Sequence, residues 1–393
     1  MNNYFEHLEL VLIDIINHFN IENTYFEQNN FYEKLEIYEW IKSKEFNLLI
    51  NIIKNILDLK TNEYYENIGN SSNLINIKNL AIILVKDAKR FSIKTTINNF
   101  KTFVGKKEIY LYRVYLLGNL HKLSSTESIN FEFDNGVKLV DLKNLMNKRN
   151  YSIYNSGNFA PNIEMYLTYE FKEDKNKITF LKESSLSAFK YKDYLNIDKK
   201  IDNVYLCLIL SRHFKSNYIP LIAKTVISDE KDYLINNSSY QLLPYLQPSI
   251  SPEILEIELK KTNELLKKFE KLDNKIQYNL TIAIKKISEF ASMNINIDRA
   301  ISVRVSMESI FLNNSEEDKS LKIRKRASSY LKKQKEEHNI FNLFKNAYKS
   351  CSTAVHNGTI TDDEFNKIAE VIPYIYDAIF LIISNGKPTW KKY

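Results

Sequence analysis

The chain has 393 residues, a formal net charge of +7 and 44% hydrophobic residues, which is typical of a soluble protein with substantial cores. It contains only 7 glycines, all isolated, so phosphate-binding loops that need clustered glycines, such as P-loops and dinucleotide-binding loops, are excluded. The 2 cysteines, Cys207 and Cys351, lie far apart and argue against a disulfide framework or a thiolate zinc site.

The first hundred residues carry apolar side chains at helical spacing. Leu8, Val11, Leu12 and Ile15 follow the three- and four-residue period of an amphipathic helix. Acidic residues replace the basic flank of an export signal, and no apolar run reaches the roughly 20 residues of a membrane span. We therefore predict a helical N-terminal region over residues 1–100 and a cytoplasmic protein.

The next segment changes to a two-residue period. Glu108–Leu117 and Glu164–Phe171 are rich in β-branched and aromatic residues, and Asn135-Gly136 marks a tight hairpin turn. The pattern also predicts a strand at Lys177–Leu181 and a buried strand at Val204–Leu210. Residues 101–250 are therefore predicted to form a β-rich or α+β middle domain.

A third region begins after a cluster of prolines between Pro244 and Pro252, which marks a domain boundary. Ser251 and Pro252 suit an N-cap and a first helical residue. Helical periodicity then continues to Ile383. The predicted architecture is a multidomain α+β protein that ends in an all-α bundle over residues 251–393.

Basic residues concentrate in this last region, where residues 253–393 hold 24 Lys and Arg against 19 Asp and Glu. The segment Lys319–Lys335 has no acidic residue and suits a phosphate backbone, although a solvated helix face would look the same. The candidate RNA-binding residues in it are Lys322, Arg324, Lys325, Arg326, Lys332 and Lys333.

Two helical segments carry further candidates. Arg304 and Glu308 lie one helical turn apart, where they can form an ion pair that merely stabilises the helix or can serve a site. In the segment 340–358, Cys351 falls on the apolar stripe, whereas Lys349 and His356 share the opposite face. A histidine in the last turn can also simply complement the helix dipole.

These two segments resemble the Apea-like branch of the HEPN superfamily. The resemblance rests on the sequences DRAISVRVSMESIF and YKSCSTAVHNG, and it covers about residues 253–385. It implies a four-helix-type domain, a prokaryotic antiviral-defence or toxin effector, and RNA cleavage without metal or other cofactor by an Arg-His motif that two subunits of a homodimer bring together. The motif histidine corresponds to His356, but Cys351 stands where the family has arginine.

The resemblance implies roles for four residues. His356 would act as acid or base, Lys349 would replace arginine as the phosphate-binding cation, and Arg304 with Glu308 would orient the cleft. Lysine lacks the planar fork of arginine, so a catalytically degenerate module that binds RNA, nucleotide or a protein trigger is the alternative. Residues 1–250 would then bind a phage or cellular trigger, or carry a function unrelated to nucleic acid.

Overall fold

The computed structural model describes most of the chain in segments. The described residues are 2–21, 39–68, 71–118, 121–122, 129–141, 165–174, 191–211, 219, 221–228, 233, 241–242, 253–254, 256–290, 293, 295–312, 317–332, 337–388 and 390. The predicted proline boundary, the predicted strand Lys177–Leu181 and the candidate Lys333 lie outside these residues.

The N-terminal region is helical, as the sequence predicts, with one hairpin inserted. Side-chain caps open several of the helices, and Ser43, for example, accepts a hydrogen bond from the Phe46 amide at 3.0 Å. The elements are α1 (Asn2–His18), a 3-10 turn (Glu39–Lys42), α2 (Lys44–Ile56), β1 (Glu63–Ile68), β2 (Ser71–Asn76), α3 (Ile77–Phe91) and α4 (Ile93–Gly105).

The middle of the chain contains an antiparallel sheet. The strands are β3 (Glu108–Leu117), β4 (His121–Lys122), β5 (Asn130–Glu132), β6 (Lys138–Asp141), β7 (Met165–Asp174), β8 (Leu221–Ser228), β9 (Gln241–Leu242) and β10 (Glu253–Ile254). Among the described residues the sheet has six strands in the order β5-β6-β7-β3-β8-β9, with β3 between β7 and β8. A short parallel pair joins β4 to β10.

The Asn-Gly hairpin is confirmed. The Phe133 amide donates to the Val137 carbonyl at 2.8 Å, and the Gly136 amide donates to the Phe133 carbonyl at 2.8 Å. Gly136 has φ +83°, a backbone conformation that favours glycine. This turn positions β5 against β6 at one side of the sheet.

The predicted strand Val204–Leu210 is wrong, because these residues lie in helix α5 (Tyr191–Ser211). Every side chain from Val204 to Leu210 is buried in this helix. A helix buried on all sides loses the polar face that would reveal its period, so a short apolar run predicts strand and helix equally well.

The C-terminal region is a helical assembly, as predicted, except that Glu253–Ile254 form a short strand where the sequence predicted the first turn of a helix. The helices are α6 (Glu256–Glu270), α7 (Asn274–Glu289), α8 (Asn296–Phe311), α9 (Lys319–Leu331), α10 (Glu337–Asn357), α11 (Asp362–Ala369) and α12 (Ile372–Asn385). Helices α8 and α10 run antiparallel, since Phe311 of α8 contacts Phe344 of α10 and the earlier residue Arg304 contacts the later residue Tyr348.

Two hydrophobic cores lie within the described residues, and strand β3 contributes to both. Its first half gives Ile109 and Leu111 to a core formed with the N-terminal helices. Its second half gives Tyr115 and Leu117 to a core that continues through α5 into the C-terminal helices. The sheet and the C-terminal helices are therefore packed together rather than merely linked in sequence.

The segment Asp362–Asn385 is long and apolar enough to cross a membrane by length and composition. The structure divides it into α11 and α12 and packs Ile375, Ile379 and Ile382 of α12 into the C-terminal core. This packing accounts for its apolar character.

Candidate functional site

Helix α10 has a buried side and an exposed side, as its sequence predicts. Ile340, Phe344, Ala347 and Cys351 are fully buried, and only Val355 of the predicted apolar stripe is exposed, to 42%. Burial raises the pKa of the Cys351 thiol to about 12. Cys351 is therefore a core residue. The position at which an arginine was expected thus lies on the buried side of α10 and carries no cation.

Three side chains from three helices converge on the Glu308 carboxylate, and we call the four residues the Glu308 cluster. Glu308 Oε1 accepts from Arg304 Nε at 3.0 Å and from the Tyr348 hydroxyl at 2.8 Å, while Glu308 Oε2 accepts from Lys319 Nζ at 3.1 Å. The predicted contact between Arg304 and Glu308 is thus an ion pair, and both side chains are 24% exposed.

The Arg304 guanidinium also lies over the Tyr348 ring, 5.2 Å from its centroid. This cation–π contact adds to the hydrogen bond with Glu308 in holding the guanidinium against α10. The Glu308 cluster therefore links α8, α9 and α10 through charge in addition to their shared apolar core.

The electrostatics of the cluster keep the carboxylate charged. Burial alone would raise the pKa of Glu308, but hydrogen bonds from Arg304, Tyr348 and Lys319 outweigh it and lower the pKa. Burial and the hydrogen bond to Glu308 raise the pKa of Tyr348 to about 12. At neutral pH the cluster thus holds one carboxylate, two cations and a neutral phenol.

Lys349 and His356 lie on the next face of α10 and are both exposed. Helical geometry separates them from each other by only about 20° but separates His356 from Tyr348 by about 80°. The described residues include no hydrogen-bond or ion-pair partner for either side chain. The structure thus joins Arg304 to Glu308 and places Lys349 with His356, but it does not merge the two pairs.

Helix α10 ends at Asn357, which Gly358 follows. The Gly358 amide donates to the Ala354 carbonyl at 3.1 Å, and Gly358 has φ +67°. Helix α11 starts soon afterwards with a capping box, in which Thr361 and Glu364 exchange hydrogen bonds. His356 therefore stands in the last turn of a well-terminated helix.

The predicted basic segment is only partly exposed. Lys325 and Lys332 are exposed, and Lys322 and Arg324 are half-buried. Arg326 corrects the sequence expectation, because it is buried. Its Nη1 donates to the Phe311 carbonyl at 2.7 Å, so this guanidinium caps the end of α8 instead of facing solvent.

Sequence reasoning missed Lys319 and Tyr348 as members of the Glu308 cluster. The one available signal was that Tyr348 precedes Lys349 within the segment YKSCSTAVHNG. Nothing in the spacing pairs Lys319 with Glu308, because the two residues lie on different helices whose crossing sets their distance. Among the described residues, no three His, Cys, Asp or Glu side chains converge as a metal site would require.

Comparisons with protein families, with curated proteins and with solved structures find no match to this chain.

Proposed function

We propose that the C-terminal helices carry a HEPN-type site and that the protein is a metal-independent endoribonuclease. The observation that supports this most directly is that Lys349 and His356 are both exposed and share one face of α10, about two helical turns apart. A cation and a histidine that face the same substrate are the minimal equipment for cleaving RNA through its own 2′-hydroxyl.

The proposed chemistry uses each side chain in one step. The His356 imidazole takes the proton of a ribose 2′-hydroxyl, whose oxygen attacks the adjacent phosphorus while the 5′-oxygen leaves with a proton. Lys349 stabilises the added negative charge on the phosphoryl oxygens. A homodimer would supply a second His356, so that one histidine is the base and the other is the acid. The products are a 2′,3′-cyclic phosphate and a 5′-hydroxyl.

The Glu308 cluster supports this site as a positioning element. It fixes α8 and α9 against α10 beside the reactive face, and its partners restrain the Arg304 guanidinium near the surface. The sequence resemblance supports a role as a prokaryotic defence or toxin effector, with residues 1–250 responding to a phage or cellular trigger.

The test is cleavage of total RNA by the purified chain in EDTA. We expect fragments that end in 2′,3′-cyclic phosphate, and we expect His356→Ala to abolish them. His338→Ala is the matched control, since His338 is an exposed histidine at the other end of α10. RNA that stays intact under all conditions, including addition of candidate triggers, contradicts the enzymatic proposal.

A binding module without catalysis is the second candidate, and the burial of Cys351 favours it. Residue 351 places no cation on the exposed face of α10. A lysine at position 349 cannot donate two parallel hydrogen bonds to one phosphate, as an arginine can. RNA that binds to the wild-type chain but is never cut identifies this function.

A further inference from the structure

Positive charge is concentrated around helix α4, at the end of an otherwise acidic N-terminal region. Residues 1–87 hold 13 Asp and Glu against 7 Lys and Arg, whereas residues 88–107 hold 6 Lys and Arg and no Asp or Glu. The charge therefore changes sign within one helical region. Such a segregated cluster of cations is the electrostatic footprint of a surface that meets an anionic partner.

Helix α4 has a buried side and a basic exposed side. Its buried side chains are Thr96, Ile97, Phe100 and Phe103. On the opposite side, Lys94, Asn98 and Lys101 are exposed and fall within an arc of about 60°. Lys94 and Lys101 are two turns apart, which corresponds to an axial rise of about 10 Å. The buried side anchors the helix, so these cations stand on a fixed surface.

The corner between α3 and α4 adds two more cations. A single residue, Ser92, joins the two helices at φ +127°, and its hydroxyl oxygen accepts from the Thr95 amide at 3.2 Å. Lys89 and Arg90 lie in the last turn of α3 and are both exposed. Because one residue separates the helices, the basic last turn of α3 lies beside the first turn of α4.

The lysines of this region have no carboxylate partner within the described part of the chain. Lys89, Lys94 and Lys107 make no ion pair there, and Lys101 Nζ lies over the Phe5 ring, 5.2 Å from its centroid, instead of pairing with an acidic side chain of α1. Surface cations without counter-charges repel one another, and an anionic ligand relieves this repulsion. The exposed cations together form what we call the α4 surface: Lys89, Arg90, Lys94, Lys101 and Lys107.

We propose that the α4 surface binds the phosphate backbone of a double-stranded nucleic acid. The exposed Thr95, Asn98 and Thr102 stand among its cations, and short polar side chains of this kind donate hydrogen bonds to phosphate and sugar oxygens. A single strand would need aromatic side chains on which its bases stack, and the exposed side of α4 has none. Phe91, at the corner, already has the Arg90 guanidinium over its ring, at 4.9 Å.

This inference goes beyond the proposed function, because it concerns a different surface and needs no cleavage. It gives residues 1–250 a ligand of stated chemistry. The phosphate backbone can come from DNA or from RNA, and the duplex that binds more tightly identifies the source.

Binding of short fluorescent duplexes to the full chain tests the α4 surface. The probes are a DNA duplex, a 2′-O-methyl RNA duplex of equal length, which cannot be cleaved through a 2′-hydroxyl, and one strand of the DNA alone. We expect the wild type to bind a duplex more tightly than the single strand. The double variant Lys94→Gln/Lys101→Gln should weaken binding to the DNA duplex by at least about tenfold and reduce the slope of log K against log salt by about 1.8.

The matched control is Lys42→Gln/Lys44→Gln, which makes the same change in net charge at two exposed lysines elsewhere in the N-terminal region. We expect it to bind like the wild type, and unchanged melting temperatures should show that both variants are folded. Equal duplex affinities of Lys94→Gln/Lys101→Gln and wild type overturn the proposal, as does an equal loss in the control variant. A wild type that binds neither duplex, or that binds the single strand equally well, overturns it too. Each of these results leaves RNA cleavage by the C-terminal helices to its own test.

Discussion

At the scale of single residues, the Glu308 carboxylate has the most partners of the candidate site residues. It pairs with the cations of Arg304 and Lys319 and accepts a hydrogen bond from the Tyr348 hydroxyl. The Glu308 side chain is only 24% exposed, and charge interactions there are stronger than at the open surface. Removing the Glu308 carboxylate would leave Arg304 and Lys319 without this anion, which is costlier than losing an ordinary surface pair.

Glu308→Gln should therefore lower stability by about 1 kcal/mol at neutral pH. The pKa of Glu308 is lowered in the folded state, so its stabilisation is present above the unfolded pKa and is lost as pH falls through the folded pKa. The difference in melting temperature between wild type and variant should thus shrink below about pH 4.5. Glu317→Gln, at an exposed glutamate nearby, is the control. A difference that stays constant down to pH 3 contradicts the prediction.

Residue-scale prediction from sequence worked where one helix decides the outcome. The burial of Cys351 and the exposure of Lys349 and His356 follow from helical period alone. It failed where the environment of a side chain depends on a second helix. Arg326 points inward because it donates to the Phe311 carbonyl at the end of α8, and the sequence of α9 alone does not show this contact.

At the scale of elements, the termination of α10 controls where His356 stands. Gly358 adopts φ +67° with no atom within 4 Å of an added Cβ, so a side chain there would be limited by backbone strain and not by space.

Gly358→Ala should destabilise the protein by about 1 kcal/mol and increase hydrogen exchange in the last turn of α10. Gly105→Ala is a matched control, because Gly105 also ends a helix with free space around it but is not in the left-handed region. We expect it to be neutral or slightly stabilising, since alanine restricts the unfolded chain. The prediction fails if both variants melt at the same temperature.

Elements with a distinctive local signal were predictable. The Asn-Gly hairpin and strand β3 carry turn chemistry and β-branched residues, and both are confirmed. The run Val204–Leu210 lacks such a signal because this part of its helix is buried on every side, so only tertiary packing distinguishes it from a strand. The hairpin of β1 and β2 within the predicted helical region was also not foreseen.

At the scale of the whole molecule, the C-terminal helices share their core with the sheet. Helix α6 packs along α5, and polar contacts also join it to the turn between β5 and β6. Asn263 Nδ2 donates to Asp134 at 2.8 Å, and Lys267 pairs with the same carboxylate at 2.7 Å. The C-terminal helices therefore depend on residues upstream of the predicted boundary for part of their burial.

A fragment of residues 251–393 should accordingly be less stable than the same residues in the full chain. Cutting it free exposes Leu259, Leu266 and Phe269 of the shared core, each of which contributes about 1.5–3 kcal/mol when buried. The loss of stability is measured by comparing the hydrogen exchange of the α6 amides in the fragment and in the full chain. Equal protection of α6 in both would show that the helices form an independent domain.

Strand β3 also sets an order of events during synthesis. It needs β7 on one side and β8 on the other, and Leu111 pairs with Ser228. The ribosome must therefore deliver residue 228 before this central strand has both neighbours, and until then β3 presents an open edge to other nascent chains. Translation speed and chaperone access between residues 117 and 228 thus become determinants of the yield of folded protein.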